Sequence, residues 1–261
     1  MRQAGPDPAV RSRPGGILRR RTAGPFVLVV PMLLALAACS SSGTGVRPAW
    51  PVGTTSAGAR VVTGALGGRQ QAELDLVSGA TTVVVRSADL GDELFRTSTP
   101  VGAKVAPAAD VAGDTVRLSL RDVAGGQGAA EIDVQLNAGV RWRINLDGGA
   151  TEETVDLGGG HLDALDFGAG SSRIEAVLPD PRGTVPVRMA GGASTFDLHL
   201  PAGIPAQVLL SGGAGQATID GAVHTGIAGG TVYTPSDWGS ATNRYTVDNS
   251  AGVSALTLDR T

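Results

Sequence analysis

The chain has 261 residues, of which 39 are glycine and only 3% are aromatic. Such a chain cannot fill a core with large rings, so it must bury small and branched aliphatic residues against closely packed backbone. The formal net charge of −3 is unevenly spread, because residues 1–38 hold six arginines against one aspartate and the remainder is strongly acidic. An acidic body argues against nucleic-acid binding, which needs a basic surface.

The first 38 residues predict a lipoprotein signal peptide. An arginine run at 19–21 precedes the mostly apolar residues 26–38, a length typical of a signal peptide and too short for a transmembrane helix. Cys39, the single cysteine of the chain, follows directly. The sequence Leu36-Ala37-Ala38-Cys39 resembles the lipobox of bacterial lipoproteins, which implies cleavage before Cys39 and acylation of its thiol.

This interpretation places the protein outside the cytoplasm, anchored to the outer leaflet of the cell membrane by lipid at Cys39. Residues 39–68 are rich in serine, glycine and proline, so we predict a lipid-anchored flexible linker there. The expected partners are the membrane, through the anchor, and an envelope glycan or envelope protein. We predict no cofactor and no metal.

Residues 69–261 show the two-residue period of β-strands. No helical period competes outside the signal segment. Segments such as EIDVQL, WRINL and FDLHL place apolar side chains on one face: Ile132, Val134, Leu136, Trp142, Ile144, Leu146, Phe196, Leu198 and Leu200. The body is therefore predicted to be an all-β domain.

Glycines recur in this domain at a nearly fixed spacing. Gly149, Gly170, Gly192 and Gly213 are separated by 21, 22 and 21 residues. Such a period favours a single-stranded β-solenoid with rungs of about 21 residues, in which each coil stacks on the last and the glycines lie above one another at a corner. The alternative is an antiparallel β-sandwich, whose hairpins would show more Asn-Gly or Asp-Gly turns.

Residues 221–248 interrupt the spacing and form an irregular insertion or cap. They contain Tyr233, Trp238 and Tyr245. The rings could cover the end of the solenoid, because an exposed strand edge invites aggregation. They could also form a platform that binds the apolar face of a sugar or peptide. The three aromatic residues are therefore the candidate ligand surface.

No catalytic motif is found. The chain lacks a GxSxG nucleophile elbow, a P-loop and an HxH or HExxH metal pair. Carboxylates that gather on neighbouring stretches would serve a glycan-cleaving β-helix enzyme, a polysaccharide lyase or hydrolase: Asp147, Glu152, Glu153, Asp156, Asp163 and Asp166. A charged face that keeps an exported protein soluble accounts for the same residues, so we predict no catalytic residues and no enzyme activity.

The stretch LGGGHLDALDFGAG, residues 157–170, needs a separate interpretation. It has neither the tandem repeat of a calcium-binding turn nor the following helix of a phosphate loop. Its apolar alternation breaks between Leu162 and Leu165, which we interpret as a strand turning a corner. His161 and Asp163 therefore stay weak, exposed candidates, and His199, on the outward face of FDLHL, is predicted to be solvated.

Two stretches resemble known bacterial domains. Residues 191–221, GGASTFDLHLPAGIPAQVLLSGGAGQATIDG, and the segments GGTVYTP and NRYTVDNSAGVSALTL within 229–258 are similar to the β-solenoid domains grouped as putative adhesins. They are also similar to the C-terminal domain of cell-wall-active-antibiotic response proteins. The resemblance covers about the last 120 residues well and residues 70–130 loosely. It implies a non-catalytic envelope module for binding, adhesion or sensing; a purely structural surface protein is a further alternative.

Overall fold

In a computed structural model of the chain, the structure describes residues 59–261. They form strands and no helix, so none of them lies in a helix that could span a membrane. The described part is all-β, as predicted. The strands are β1 (Arg60–Ala65), β2 (Gln71–Leu76), β3 (Ala80–Ala88), β4 (Glu93–Thr99), β5 (Val105–Ala112), β6 (Thr115–Asp122), β7 (Glu131–Asn137), β8 (Arg141–Leu146), β9 (Ala150–Asp156), β10 (His161–Phe167), β11 (Ser171–Val177), β12 (Thr184–Met189), β13 (Ala193–Leu200), β14 (Ala206–Leu210), β15 (Ala214–Ile219), β16 (Ala222–Ile227), β17 (Thr231–Tyr233), β18 (Arg244–Asn249) and β19 (Val253–Arg260).

The strands form two mixed sheets. Sheet A has ten strands in the order β1-β4-β7-β3-β9-β11-β13-β19-β15-β16, and sheet B has nine in the order β17-β14-β18-β12-β10-β8-β2-β6-β5. In sheet A all neighbouring strands from β7 to β15 run parallel to each other, and in sheet B all neighbouring strands from β14 to β6 do so. Antiparallel strands lie only at the two ends of each sheet.

One hydrophobic core lies between the sheets and takes side chains from both. The strand residues predicted to point inward are buried, among them Trp142, Phe196 and Leu198. Two facing sheets over one core are the layers expected of the sandwich alternative. The parallel direction of the neighbouring strands differs from that of an antiparallel sandwich.

The parallel strands follow a corresponding order in the two sheets. Most strands of sheet B lead through a short corner into the next strand along the chain, which lies at the corresponding place in sheet A. Corners of this kind join β8 to β9, β10 to β11 and β12 to β13. The first residues after the corners are in register, with Ser171 paired to both Ala150 and Ala193. The predicted alignment of the corner glycines at 149, 170 and 192 therefore holds.

The predicted place of Gly213 in this alignment is wrong. Ala193 pairs with Val253, and Val253 pairs with Ala214, so the corner at Gly252 lies between those of Gly192 and Gly213. The chain leaves the stack after β15, forms β16 and β17, and then returns to insert β18 and β19. Sequence spacing predicts a period, but it does not give the order in which the corners lie across the sheet.

Two predicted boundaries also change. Residues 60–65, placed in the linker, form β1, which pairs with β4. The segment 221–248, predicted to be irregular, contains β16, β17 and most of β18. It begins with an Asp-Gly hairpin turn in which Asp220 and Gly221 have φ angles of +48° and +82°, the left-handed pair that a tight hairpin requires.

The stretch 157–170 supplies a turn, strand β10 and the next corner. The break in its alternation is a β-bulge, since Leu162 pairs with Trp142 and Ala164 with Arg143, which leaves Asp163 as the extra residue. The predicted corner at 162–165 is therefore wrong, because β10 continues through it; the bulge shifts the pairing by one residue and lets Leu165 point inward again.

Candidate functional site

The lipobox residues Leu36, Ala37 and Ala38 and the predicted lipid-attachment residue Cys39 lie outside the described residues. The anchor, the signal peptide and the outer-leaflet location therefore stay predictions.

Tyr245 is not part of a ligand surface, which corrects the sequence interpretation. Its side chain is fully buried because Tyr245 occupies an inward position of β18, two residues before the inward Val247. The hydroxyl donates a hydrogen bond to the carbonyl oxygen of Pro179 at 2.6 Å. Burial, with a smaller contribution from the charge of Asp180, raises the pKa of this hydroxyl well above its usual range. Tyr245 is a core residue.

Trp238 remains a surface candidate. It lies in the loop 234–243 and is half-buried. The guanidinium carbon of Arg244 lies 4.5 Å from the ring centroid, a distance at which cation–π attraction holds the two planes together. Arg244 also donates from Nη1 to the Trp238 carbonyl at 2.8 Å and from Nε to Thr184 Oγ1 at 2.9 Å. These contacts fix the indole against the first residues of β12 and β18.

Tyr233 has a different environment. Its ring stacks on His224 with centroids 4.5 Å apart. Since Tyr233 belongs to β17 and His224 to β16, this pair joins the last strands of the two sheets. The three predicted aromatic residues therefore do not form one platform.

The acidic residues that could have served a glycan-cleaving enzyme are divided between the two sheets. Glu152, Glu153 and Asp156 belong to β9 in sheet A, whereas Asp163 and Asp166 belong to β10 in sheet B and Asp147 lies in a corner. Asp163 lies 3.7 Å from Arg141, and Asp166 lies 3.9 Å from Arg188. Burial raises the pKa of Asp166; Arg188 opposes the shift and the charge of Asp147 adds to it.

Glu153 points into the core. It is 2% exposed and lies between Val83 of β3 and Ile174 of β11. Burial raises the pKa of Glu153 to about 7, although a hydrogen bond with the Ser171 side chain acts in the opposite direction. Its Oε2 atom has no hydrogen-bond partner among the described residues. Because the residue is almost fully buried, Glu153 does not present its carboxyl to an external glycan.

The histidines also lie apart. His161 begins β10, and His224 stacks on Tyr233. His199, predicted to be solvated, does lie on the outer face of sheet A, but its Nδ1 is 2.6 Å from Asp259 Oδ1 and its Nε2 is 3.9 Å from Glu175. Among residues 59–261 no group of three or more His, Cys, Asp or Glu side chains has the arrangement of a metal site.

A polar groove lies on the outer face of sheet B, and Asp163 is the one of its lining residues that the sequence indicated as a candidate. It has a volume of about 250 Å³ and is lined by Gln71, Ala72, Glu73, Asp114, Thr115, Arg143 and Asp163. The lining comes from the first residues of four neighbouring strands, β6, β2, β8 and β10, and from the turn before β6. Asp163 is the bulged residue of β10. The broken alternation at 162–165 was the signal that could have indicated it, since bulges often re-aim a side chain at a binding site.

The groove and Trp238 lie at the same end of neighbouring sheet B strands, the end at which each strand begins. Beyond β10 the next strands are β12 and β18, and Thr184 and Arg244, which hold Trp238, are their first residues. At about 4.8 Å per strand, β8 and β18 lie roughly 14 Å apart. We call this row the strand-start strip and define it by Glu73, Arg143, Asp163, Trp238 and Arg244.

The comparisons with known proteins bear on the fold. No protein-family model and no curated protein matches the chain. A solved structure of a putative cell adhesion protein from Clostridium sporogenes aligns with a TM-score of 0.58 and 18% identity, over 78% of this chain and 99% of that one. A putative adhesin from Bacteroides fragilis aligns with a TM-score of 0.21 and 9% identity, over 77% of this chain and 95% of that one; this second alignment carries no argument. The resemblance to adhesins that the sequence indicated is thus supported at the level of the fold.

Proposed function

We propose that this chain is an exported, lipid-anchored binding protein of the adhesion type, without catalytic activity, whose body is a two-sheet β-solenoid. The in-register parallel strands and the repeated glycine corners support the solenoid. The likeness to the Clostridium sporogenes protein, which is called a putative cell adhesion protein, supports the adhesive role. The lipobox ending in Cys39 supports the anchor.

The observation that carries the proposal is the strand-start strip. Carboxylates and an arginine in a shallow groove offer both acceptors and donors to hydroxyl groups, and the indole of Trp238 offers a flat apolar face. These groups follow one another across neighbouring strands, so they suit an extended polar polymer more than a compact small molecule. An envelope glycan has this chemistry.

Retention of the protein on envelope glycans tests the proposal. The chain 40–261 begins after the lipid-attachment cysteine and contains every core residue. We expect it to be retained without releasing products. Trp238→Ala and Arg143→Ala should each weaken retention about tenfold, or about 1.4 kcal/mol, whereas Arg173→Ala on sheet A should not. Release of shorter glycans would favour the enzyme alternative, and absence of both retention and cleavage would favour the structural one.

Lipid labelling tests the anchor separately. Replacing Cys39 with alanine removes the only thiol of the chain, so labelling by a fatty-acid probe should disappear. Acylation that persisted in the Cys39→Ala chain would contradict the anchor and leave the glycan-binding proposal intact.

A further inference from the structure

The strands β16 and β17 form one end of the two sheets, which we call the open end. Among residues 59–261, β16 is the last strand of sheet A and pairs only with β15, and β17 is the last strand of sheet B and pairs only with β14. Each strand therefore has one side whose backbone groups face away from the sheet. An edge of this kind can pair with a further strand.

The open end has no charged side chain. The residues of β16 and β17, AVHTGI and TVY, include no Asp, Glu, Lys or Arg. Val223 is 61% exposed and Val232 is 50% exposed. The His224 and Tyr233 rings pack together between the two strands. Natural sheets discourage edge pairing with charge, proline, a cover or a very short edge strand. β17 is short, with three residues, but the six residues of β16 include neither charge nor proline, and within residues 59–261 no strand pairs with its outer side.

The groove beside the open end is likewise lined without charged side chains. A shallow groove of about 420 Å³ adjoins β16 and is lined by small or apolar residues: Ala193, Gly212, Gly213, Ala214, Gly215, Ile227, Gly229, Gly252, Val253 and Ser254. A neighbouring backbone could approach here without meeting a long side chain.

The opposite end of the sheets is protected. There β5 carries Pro107, which has no N–H to donate, and Asp110. Strand β1 begins with Arg60, whose Nη1 donates to the carbonyl oxygen of Ala103 at 3.4 Å and so ties β1 to the turn before β5. The two ends thus differ in the features that decide whether an edge accepts a partner.

We propose that the open end pairs with the open end of a second copy of this chain, with β16 antiparallel to β16 across a two-fold axis. An uncharged strand meets no repulsion when the identical strand lies opposite it, and a two-fold axis closes the pairing at two copies. Such pairing continues sheet A through both chains and covers Val223 and Val232. The charged and proline-bearing end cannot take the same role, so the assembly does not grow into a filament.

The dimensions predict weak association. A six-residue strand is about 20 Å long and the sheets lie about 10 Å apart, so with its side chains the end covers roughly 400 Å². A standard stable interface buries about 800 Å² on each partner. The dimer should therefore form at high concentration, with a dissociation constant in the micromolar range or above.

Sedimentation of the chain 40–261 over a range of concentrations tests this proposal. We expect a reversible monomer–dimer equilibrium. Val223→Lys or Val232→Lys should weaken it about tenfold or more, because the added charge loses its hydration in the interface and the same charge on the second copy repels it. Val101→Lys is the matched control, since Val101 is 57% exposed in the turn after β4, away from the open end. Its equilibrium should match that of the unaltered chain.

A charge-swap experiment separates self-pairing from general damage. Val223→Lys and Val223→Glu chains should each associate about tenfold more weakly than the unaltered chain, and their mixture should associate more tightly than either, because the two residues 223, about 10 Å apart across the axis, then carry opposite charges. A chain that stays monomeric at every concentration, a dimer unaffected by the lysine substitutions, or a mixture that fails to associate would overturn the proposal. Arg143→Ala should weaken glycan retention about tenfold and keep self-association, so failure of one proposal is distinguishable from failure of the other.

Discussion

Glu153 occupies a position that its neighbours fill with aliphatic side chains. Val83 and Ile174 pair with it on either side in sheet A, and the other buried polar residues, Thr97, Thr99, Asn137, Ser171 and Asn249, do not titrate. An ionised carboxylate in this place loses its hydration without gaining a cationic partner. Burial therefore favours the protonated form and raises the pKa to about 7.

This pKa predicts that the protein becomes less stable as pH rises. The folded chain holds the proton of Glu153 up to a pH of about 7, whereas the unfolded chain releases it near 4.5. Between these values the folded state binds more protons, so the free energy of unfolding falls as pH increases, by up to about 3 kcal/mol. Glu153→Gln removes the charge and keeps a hydrogen-bonding group for Ser171. We expect urea denaturation to show that E153Q is the more stable chain at pH 8 and that its advantage shrinks toward pH 5.

Glu152→Gln is the matched control, because Glu152 is the adjacent, exposed residue of β9. Its stability should follow the pH dependence of the unaltered chain. If E153Q lost stability in parallel with the unaltered chain between pH 5 and 8, the carboxyl of Glu153 would not be the titrating group.

Tyr245 and Trp238 give a second prediction at this scale. Tyr245→Phe leaves the buried Pro179 carbonyl without its donor, which should lower the free energy of unfolding by about 1–2 kcal/mol. It should not affect glycan retention, since the ring stays in the core. Trp238→Ala should instead weaken glycan retention about tenfold and leave the free energy of unfolding nearly unchanged. Denaturation and retention measured on both variants check this, and weak retention in a stably folded Y245F chain would contradict the core assignment.

Individual side chains were predictable from sequence only where the alternation is regular. Trp142 and Phe196 were placed correctly because a two-residue period decides which face a strand residue occupies. Tyr245 was misplaced because the glycines and polar residues before it hide the start of β18. The inward direction of Glu153 had no sequence signal, since TEETVD does not separate apolar from polar positions.

At the scale of elements, the corners determine how closely neighbouring segments of the chain approach each other. A Cβ atom on Gly191 would lie 2.0 Å from the backbone carbon of Ala169, and one on Gly212 would lie 2.2 Å from that of Ala251. These contacts are with backbone, which cannot rotate away. The corners therefore need glycine for close approach of the chain, whether or not the φ angle is positive.

Gly191→Ala is accordingly predicted to destabilise the protein by about 1–3 kcal/mol or more, the usual effect of overpacking. Gly159→Ala is the control, because Gly159 lies in a turn with no atom within 4 Å of its would-be Cβ and no positive φ. Its stability should be nearly unchanged or slightly higher. Thermal unfolding of both chains measures the difference, and equal melting temperatures would show that the corners can relax.

The glycine spacing predicted these corners but not which corner lies beside which in the sheet. Gly149, Gly170 and Gly192 follow one another along the chain and in the stack, so the period and the order agree. Gly252 lies between Gly192 and Gly213 because β16, β17 and a loop let the chain leave and return. Likewise, the groove at Glu73, Arg143 and Asp163 joins residues far apart in sequence, which no local pattern could have brought together.

At the scale of the whole molecule, the place of a strand along the chain does not give its place in the sheet. β18 and β19 are last in sequence, yet each is hydrogen-bonded to parallel neighbours on both sides. β16 and β17 are internal in sequence and lie at the edge. Chain termini are ordinarily where a fold frays, but the pairing here predicts that fraying begins elsewhere.

Hydrogen exchange of the chain at a concentration where it is monomeric tests this. Amides of β18 and β19 should open only with global unfolding, and those of β16 and β17 should exchange through local opening of much lower free energy. Strand β1, an edge strand at the other end, should also exchange fast and serves as the internal comparison. If residues 244–260 exchanged faster than residues 222–233, the last two strands would not be held between their neighbours. Slower exchange at 222–227 with rising concentration would mark the same edge as the surface where two chains meet.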